Sequence, residues 1–197
     1  QVPRLRETAL FVIGLAIKNY PQIIKEIDTD KRITDLVNIF ESSLPTDDQN
    51  NKSRGEIQIF IRYVSIIYRI SLVWKNDISQ SRLSTYFDKF FRILKSLFNC
   101  GISNNDHLLI KNSSNALNQL IDNAPPDLSP RLGEIYKDTL DNLDQSKAQS
   151  LSPETIFIVQ SSFCSNISTL LLKLKNNHDI ISTYAGRTLE MLYELLS

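Results

Sequence analysis

At 197 residues the chain can bury a sizeable core within one domain. Its 22 basic and 22 acidic residues cancel, which removes the basic excess that a general nucleic-acid binder needs to displace condensed counterions. A hydrophobic content of 42%, with nine Phe and seven Tyr, describes a folded chain, and only five Gly argue for helices over a fold of tight turns or phosphate-cradling loops.

The N-terminal stretch reads as a helix from about Arg4 to Tyr20, with Leu5, Ala9, Val12, Ile13, Ala16 and Ile17 inward and Pro21 as its stop. Gly14 within it costs helix propensity and is expected to admit a neighbouring helix. The start at Gln1, without Met, suggests an internal piece of something longer, and no signal-peptide cleavage pattern follows it. After a short linker helix QIIKEI, the segment DKRITDLVNIFESSL places Ile33, Leu36, Val37 and Phe40 on one side. Residues 44–55, bounded by Pro45 and Gly55 and without apolar periodicity, form the expected polar loop.

The stretch from Glu56 to Asn76 is apolar on nearly every side. Its polar residues Gln58, Arg62, Ser65, Arg69 and Asn76 recur at helical spacing and leave one narrow stripe. It is long enough to cross a bilayer, but Arg62 and Arg69 in its middle would each cost roughly 2.5–3.5 kcal/mol there. A buried helix with neighbours on several sides is the better account. The next helix, Gln80 to Asn99, is cleanly two-faced. Leu83, Tyr86, Phe87, Phe90, Phe91, Leu94, Leu97 and Phe98 follow core spacing, Arg82, Asp88, Lys89, Arg92 and Lys95 share the other side, and Gly101 suits the C′ position.

Further along, Leu109, Ala116, Leu117, Leu120 and Ile121 mark a helix ended by Pro125 and Pro126. Ser129 and Pro130 begin another, with Leu132, Ile135, Tyr136, Thr139 and Leu143 buried and Arg131, Glu134, Lys137 and Asp138 facing out. Ser152-Pro153-Glu154 repeats the start signal for a second nearly all-apolar helix. The last helix turns Ile181, Tyr184, Ala185, Leu189, Leu192 and Leu196 inward. Helix pairs over roughly 4–43, 56–100, 105–143 and 152–197 approach the period of HEAT-type units, about 40–47 residues. The fold class expected is all-α, an α-solenoid of HEAT-like antiparallel helix pairs across 1–197, with an irregular helical bundle as the alternative.

Catalytic signatures are missing. The sequence has no nucleophile elbow, P-loop, dinucleotide fingerprint, HExxH or EF-hand loop, so no enzyme, cofactor or metal is expected. His107 and His178 fall in different units without Cys or His at ligand spacing and read as surface or capping residues. Cys100 and Cys164 lack CxxC spacing and read as reduced thiols of a cytosolic or nuclear protein. Trp74 reads as core, and the sequons at Asn51, Asn112 and Asn166 as chance triplets in an Asn- and Ser-rich chain.

The stretches RETALFVIGLAIKN, FIRYVSIIYRISLVWKN, LSTYFDKFFRILKSLF, NSSNALNQLIDNAPPDL and LSPRLGEIYKDTL, followed by the helix after Leu151-Ser152-Pro153-Glu154, are in their order similar to successive repeat helices of the importin-β superfamily, most of all its transportin-SR branch. The resemblance implies an internal segment of a nuclear transport receptor, cytoplasmic and nuclear, whose flexible superhelix binds cargo, Ran-GTP and phenylalanine-glycine nucleoporins without catalysis. It carries over no binding residue. The exposed charges of the two-faced helices, Arg82, Asp88, Lys89, Arg92, Lys95, Arg131, Glu134, Lys137 and Asp138, form the expected protein-binding surface, since mixed charge serves specificity and encounter rate. An armadillo-like nucleotide-exchange co-chaperone, suggested by ALFVIGLAIKNYPQ, and a generic assembly scaffold are the other readings.

Overall fold

Every described element is a helix or a turn. The computed structural model describes residues 2–27, 30–45, 52–75, 81–146 and 151–196, and among them there is no strand. The helices are α1 (Val2–Asn19), α2 (Gln22–Ile27), α3 (Asp30–Glu41), α4 (Arg54–Lys75), α5 (Ser81–Ser103), α6 (His107–Asn123), α7 (Ser129–Ser146), α8 (Pro153–Leu174) and α9 (His178–Glu194), with a 3₁₀ turn at Pro126–Leu128.

Local chemistry sets several starts. Ser53 and Glu56 make a capping box: Glu56 Oε2 accepts from the Ser53 backbone N–H at 2.9 Å, and Ser53 Oγ accepts from the Glu56 N–H at 3.3 Å. The bonds Ser53 donates to that carboxylate, from its backbone N–H and, at 2.8 Å, from its hydroxyl, hold the Glu56 carboxyl below its ordinary pKa. Helix α4 therefore begins at Arg54, inside the segment expected to be loop; residues 46–51 of that segment, Asn51 included, lie outside the described residues. Asp106 caps α6 through the Leu109 N–H at 2.7 Å, and Ser152 caps α8 through the Thr155 N–H at 3.2 Å, as its Ser-Pro-Glu signal requires. Ser129 instead donates back to the Pro126 carbonyl at 2.8 Å, so the 3₁₀ turn, not a forward cap, launches α7.

The helices lie in two rows. One holds α1, α4, α6 and α8, each packed on the next; α3, α5, α7 and α9 form the other. Within a row the helices run parallel, because partners ascend together: Glu7 with Arg62 and Gly14 with Arg69, then Asp88 with Arg131 and Lys95 with Asp138. A single core runs between the rows from Leu10 to Met191. Trp74 sits in it, 1% exposed, stacked on Tyr86 at 5.5 Å and Phe90 at 5.9 Å. Helices α4 and α8 are long and apolar enough to cross a membrane by length and composition. Both are packed against neighbouring helices, α4 on α1, α5 and α6, and α8 on α6, α7 and α9.

Every core residue expected of α5, α6 and α7 is buried. The two ends differ. In α1 the buried positions are Leu10, Gly14 and Ile17, while Leu5, Ala9, Val12 and Ile13 are exposed. In α9 Thr188 and Met191 are buried while Leu189 is exposed, as is Leu196 beyond the end of the helix. The reason is geometric: α1 has a row neighbour on one side only, so one narrow strip of an all-round apolar helix is covered. The closest consecutive helices are α5 with α6 and α7 with α8, whereas α6 and α7 share little backbone contact, so the tight hairpins are shifted one helix from the expected pairs.

Gly101 explains the first hairpin. It is not a C′ residue, since α5 continues to Ser103 and the left-handed turn falls at Asn105, φ 51°. A Cβ on Gly101 would stand 3.0 Å from the Ile110 backbone nitrogen. Gly101→Val is expected to destabilise the protein by about 2–3 kcal/mol, read as a lowered urea midpoint with an unchanged slope.

Candidate protein-interaction surfaces

The charged residues expected to face a partner do come together, and most are engaged with one another. Arg131 Nε donates to Asp88 Oδ1 at 2.7 Å, and its Nη1 donates to Glu134 Oε2 at 2.5 Å. Lys95 pairs with Asp138 at 3.7 Å and Arg92 with Glu41 of α3 at 3.8 Å. Lys137 and Arg187 of α9 both reach Asp141, at 3.0 and 2.6 Å. Their hydrogen bonds, that of Lys137 first, keep the Asp141 carboxyl below its ordinary pKa. These pairs form a ladder that ties α3, α5, α7 and α9 together across the outer row. Each exposed pair contributes little alone, about 0–1 kcal/mol. Arg82 also has partners. Lys89 is half-buried and makes no ion pair among the described residues.

The α1–α4–α6–α8 row presents a different surface. An open groove of about 680 Å³ runs along α6 between α4 and α8, within the range of ligand sites, roughly 300–1,000 Å³. Ile61, Val64 and Leu172 give it apolar walls, and Asn112, Asn115, Asn118, Gln119 and Asp122 line it from α6. These five share one face because their spacing follows the helical repeat. Gln119 Nε2 donates to Asn123 Oδ1 at 3.0 Å, and Asn123 Nδ2 donates to the Ser71 carbonyl at 3.0 Å, fixing α6 to α4. Asn118 Nδ2 donates to Ser165 Oγ of α8 at 2.8 Å, while its Oδ1 is closed off from solvent without a partner. The groove is charge-balanced: Arg62 is held by Glu7 at 2.9 Å, and Asp122 by Lys75 at 2.8 Å.

This groove was not singled out from the residue pattern. The only signal available was the polar spacing within NSSNALNQLID. In the same stretch the small residues Ser113 and Ser114 are buried, and Ser114 Oγ donates to Asn166 Oδ1 at 3.2 Å, which lets α6 meet its row neighbours closely.

His107 lies beside the cap of α8. Its Nε2 is 3.0 Å from Thr155 Oγ1, and its Nδ1 is 3.4 Å from Glu154 Oε1. A hydroxyl, an imidazole and a carboxylate in sequence match the order of a hydrolytic triad. Thr155, however, is fully buried, and its hydroxyl also bonds Ser152 Oγ at 2.9 Å and Asn105 Oδ1 at 3.2 Å, so no substrate carbonyl reaches it here. The cluster joins the starts of α6 and α8. His178 is exposed at the start of α9. Cys100 is buried and Cys164 half-buried, and desolvation raises both thiol pKa values, leaving them poorly nucleophilic. Among the described residues no group of three or more His, Cys, Asp or Glu is arranged to hold a metal.

No protein family model matches the chain, and neither a curated protein nor a solved structure does.

Proposed function

We propose that this chain is a protein-binding segment of a stacked helical-repeat scaffold, a HEAT-like solenoid, with the α4–α6–α8 groove as its partner-facing surface. One observation carries the choice of face: the inner row holds an open groove of about 680 Å³ lined by the amides of α6, whereas the outer-row charges largely satisfy one another. Lys89, which makes no ion pair among the described residues, keeps the outer row as a second reading. Affinity capture with quantitative mass spectrometry separates the two. Asn115→Arg fills the groove with a bulky cation and is expected to deplete captured partners about tenfold or more, with circular dichroism unchanged; Lys89→Glu is expected to leave them in place. The reverse pattern would move the binding face to the outer row.

The finer reading, a nuclear transport receptor shuttling between cytoplasm and nucleus, is supported by the order of repeat-like stretches noted above. It expects direct binding to Ran loaded with GTP. Absence of binding where an established karyopherin binds would leave the scaffold reading and remove the transport one.

A further inference from the structure

We infer that the two ends of the paired rows fit one another, so that copies of this chain stack head to tail, the open face of α1 in one copy lying on that of α8 in the next and α3 lying on α9. The inference does not depend on which long face of the rows binds a partner.

The end faces are apolar and spaced for helix packing. Opposite its buried strip, α1 exposes Leu5, Ala9 and Val12, with Leu5 74% and Val12 56% exposed. Opposite its own buried side, α8 exposes Phe157, Ser161 and Ser168, with Phe157 71% exposed. Positions 5, 9, 12, 16 and 19 of one helix and 157, 161, 164, 168 and 171 of the other follow the same alternation of four and three, the spacing at which parallel helices interlock. The serines of α8 leave room for the bulkier side chains of α1. In the other row, α9 exposes Leu189 and Tyr193 beside Gly186. Gly14, Gly101 and Gly133 each abut another helix: a Cβ there would stand 3.1, 2.9 and 3.3 Å from Arg69, Ile110 and Ile180. A Cβ on Gly186 would meet nothing within 4 Å. Its cost in helix propensity, about 1 kcal/mol, is offset by no contact inside the chain and points to a helix that approaches from outside.

Charge selects the occupant. Among the described side chains, the exposed charged residues of α1 and α3 are Arg4, Arg6, Lys18, Lys31 and Arg32 against one acid, Asp35. Those of α8 and α9 are Glu154, Asp179, Glu190 and Glu194, with Lys175 between the two helices as the exposed cation. One end is thus basic and the other acidic, although the chain as a whole is neutral. Two like ends meeting would set like charges together, which disfavours a two-fold dimer. Unlike ends attract, and each such contact leaves one further end open on either side.

Sedimentation velocity of the purified chain tests this. The weight-average mass is expected to rise past that of a dimer with concentration, and to fall as salt is raised from about 0.05 M to about 0.5 M and screens the attraction between ends. Val12→Asp disables the basic end and Phe157→Lys the acidic one, each by placing in the contact a charge of the same sign as the end it meets. Both side chains are exposed, so circular dichroism and the urea midpoint should be unchanged. Each variant alone is expected to associate at least tenfold more weakly than the unaltered chain. Mixed in equal amounts, the two retain one working pair of ends and are expected to form a one-to-one dimer that grows no further. A chain that stays monomeric at roughly 0.5 mM, where a contact with a Kd near 0.1 mM is largely filled, would overturn the inference and leave the two faces to other partners. Association that stops at a dimer in the unaltered chain, persists in either single variant or fails to reappear on mixing would overturn it as well.

Discussion

Ile67→Asp is expected to abolish the folded state, read as loss of most of the helical circular dichroism signal at 25 °C. Ile67 is fully buried in the middle of α4, a helix packed against α1, α5 and α6. The substitution removes a core side chain, worth about 2–5 kcal/mol when truncated. It also places a carboxylate where no cation stands among the core residues, and an unpaired buried charge costs several kcal/mol more. The sum reaches the whole stability of an ordinary domain, about 5–15 kcal/mol. A variant that kept its helicity and its urea midpoint would show that α4 is not the centre of the core.

The double variant Arg62→Ala, Arg69→Ala is expected to release α1 while the remaining helices hold. Arg62 places both Nε and Nη2 on Glu7 Oε1, at 3.1 and 2.9 Å, and lies 4.8 Å from the Phe11 ring centroid. Two helical turns later, Arg69 donates through Nη1 to the Gly14 carbonyl. Gly14 makes this possible, since a Cβ there would stand 3.1 Å from that nitrogen. Hydrogen bonds from charged groups contribute about 1.5–3 kcal/mol each; with the partial exposure of Glu7 and Arg62 discounted, the pair of substitutions should cost about 3 kcal/mol locally. Hydrogen exchange checks it: amides of α1 should speed up roughly a hundredfold with those of α5 and α6 little changed. Uniform acceleration across the chain would mean that α1 unfolds only with everything else.

The interior of the fold was legible because its helices are two-faced. Leu83 through Phe98 on α5 could bury only one way, and all eight residues do so. Helix α1 offered no such contrast. With Leu5, Phe11, Val12, Ile13 and Leu15 distributed around it, the pattern could not select the strip Leu10, Gly14 and Ile17, which only the position of α4 decides. The same holds for Arg62 and Arg69: their spacing announced a polar stripe, but not that the stripe meets another helix. The Ser53–Glu56 capping box was readable in SRGE and would have placed the start of α4 two residues earlier. The outer charges were located correctly as a face, yet their mutual pairing depends on how α5 and α7 stagger, a tertiary quantity. The groove on α6 stayed hidden because amides at helical spacing look like an ordinary solvated face until neighbours rise on either side.

The interhelical hydrogen bonds and ion pairs within the two rows have one further consequence. Glu7 and Arg62 are 55 residues apart, Asp88 and Arg131 are 43, and Tyr136 and Thr188 are 52. The ties thus run from α1 to α4, from α5 to α7 and from α7 to α9, and α1 and α9 are not among the helices packed together in the described residues. Assembly of this chain needs no closure between its ends. The entropy of joining any two partners is that of a loop of about fifty residues, nearly the same at every step. Folding can therefore begin wherever two adjacent hairpins first meet and spread in both directions, and the densely packed α4–α5–α6 region is where that first meeting gains the most contact.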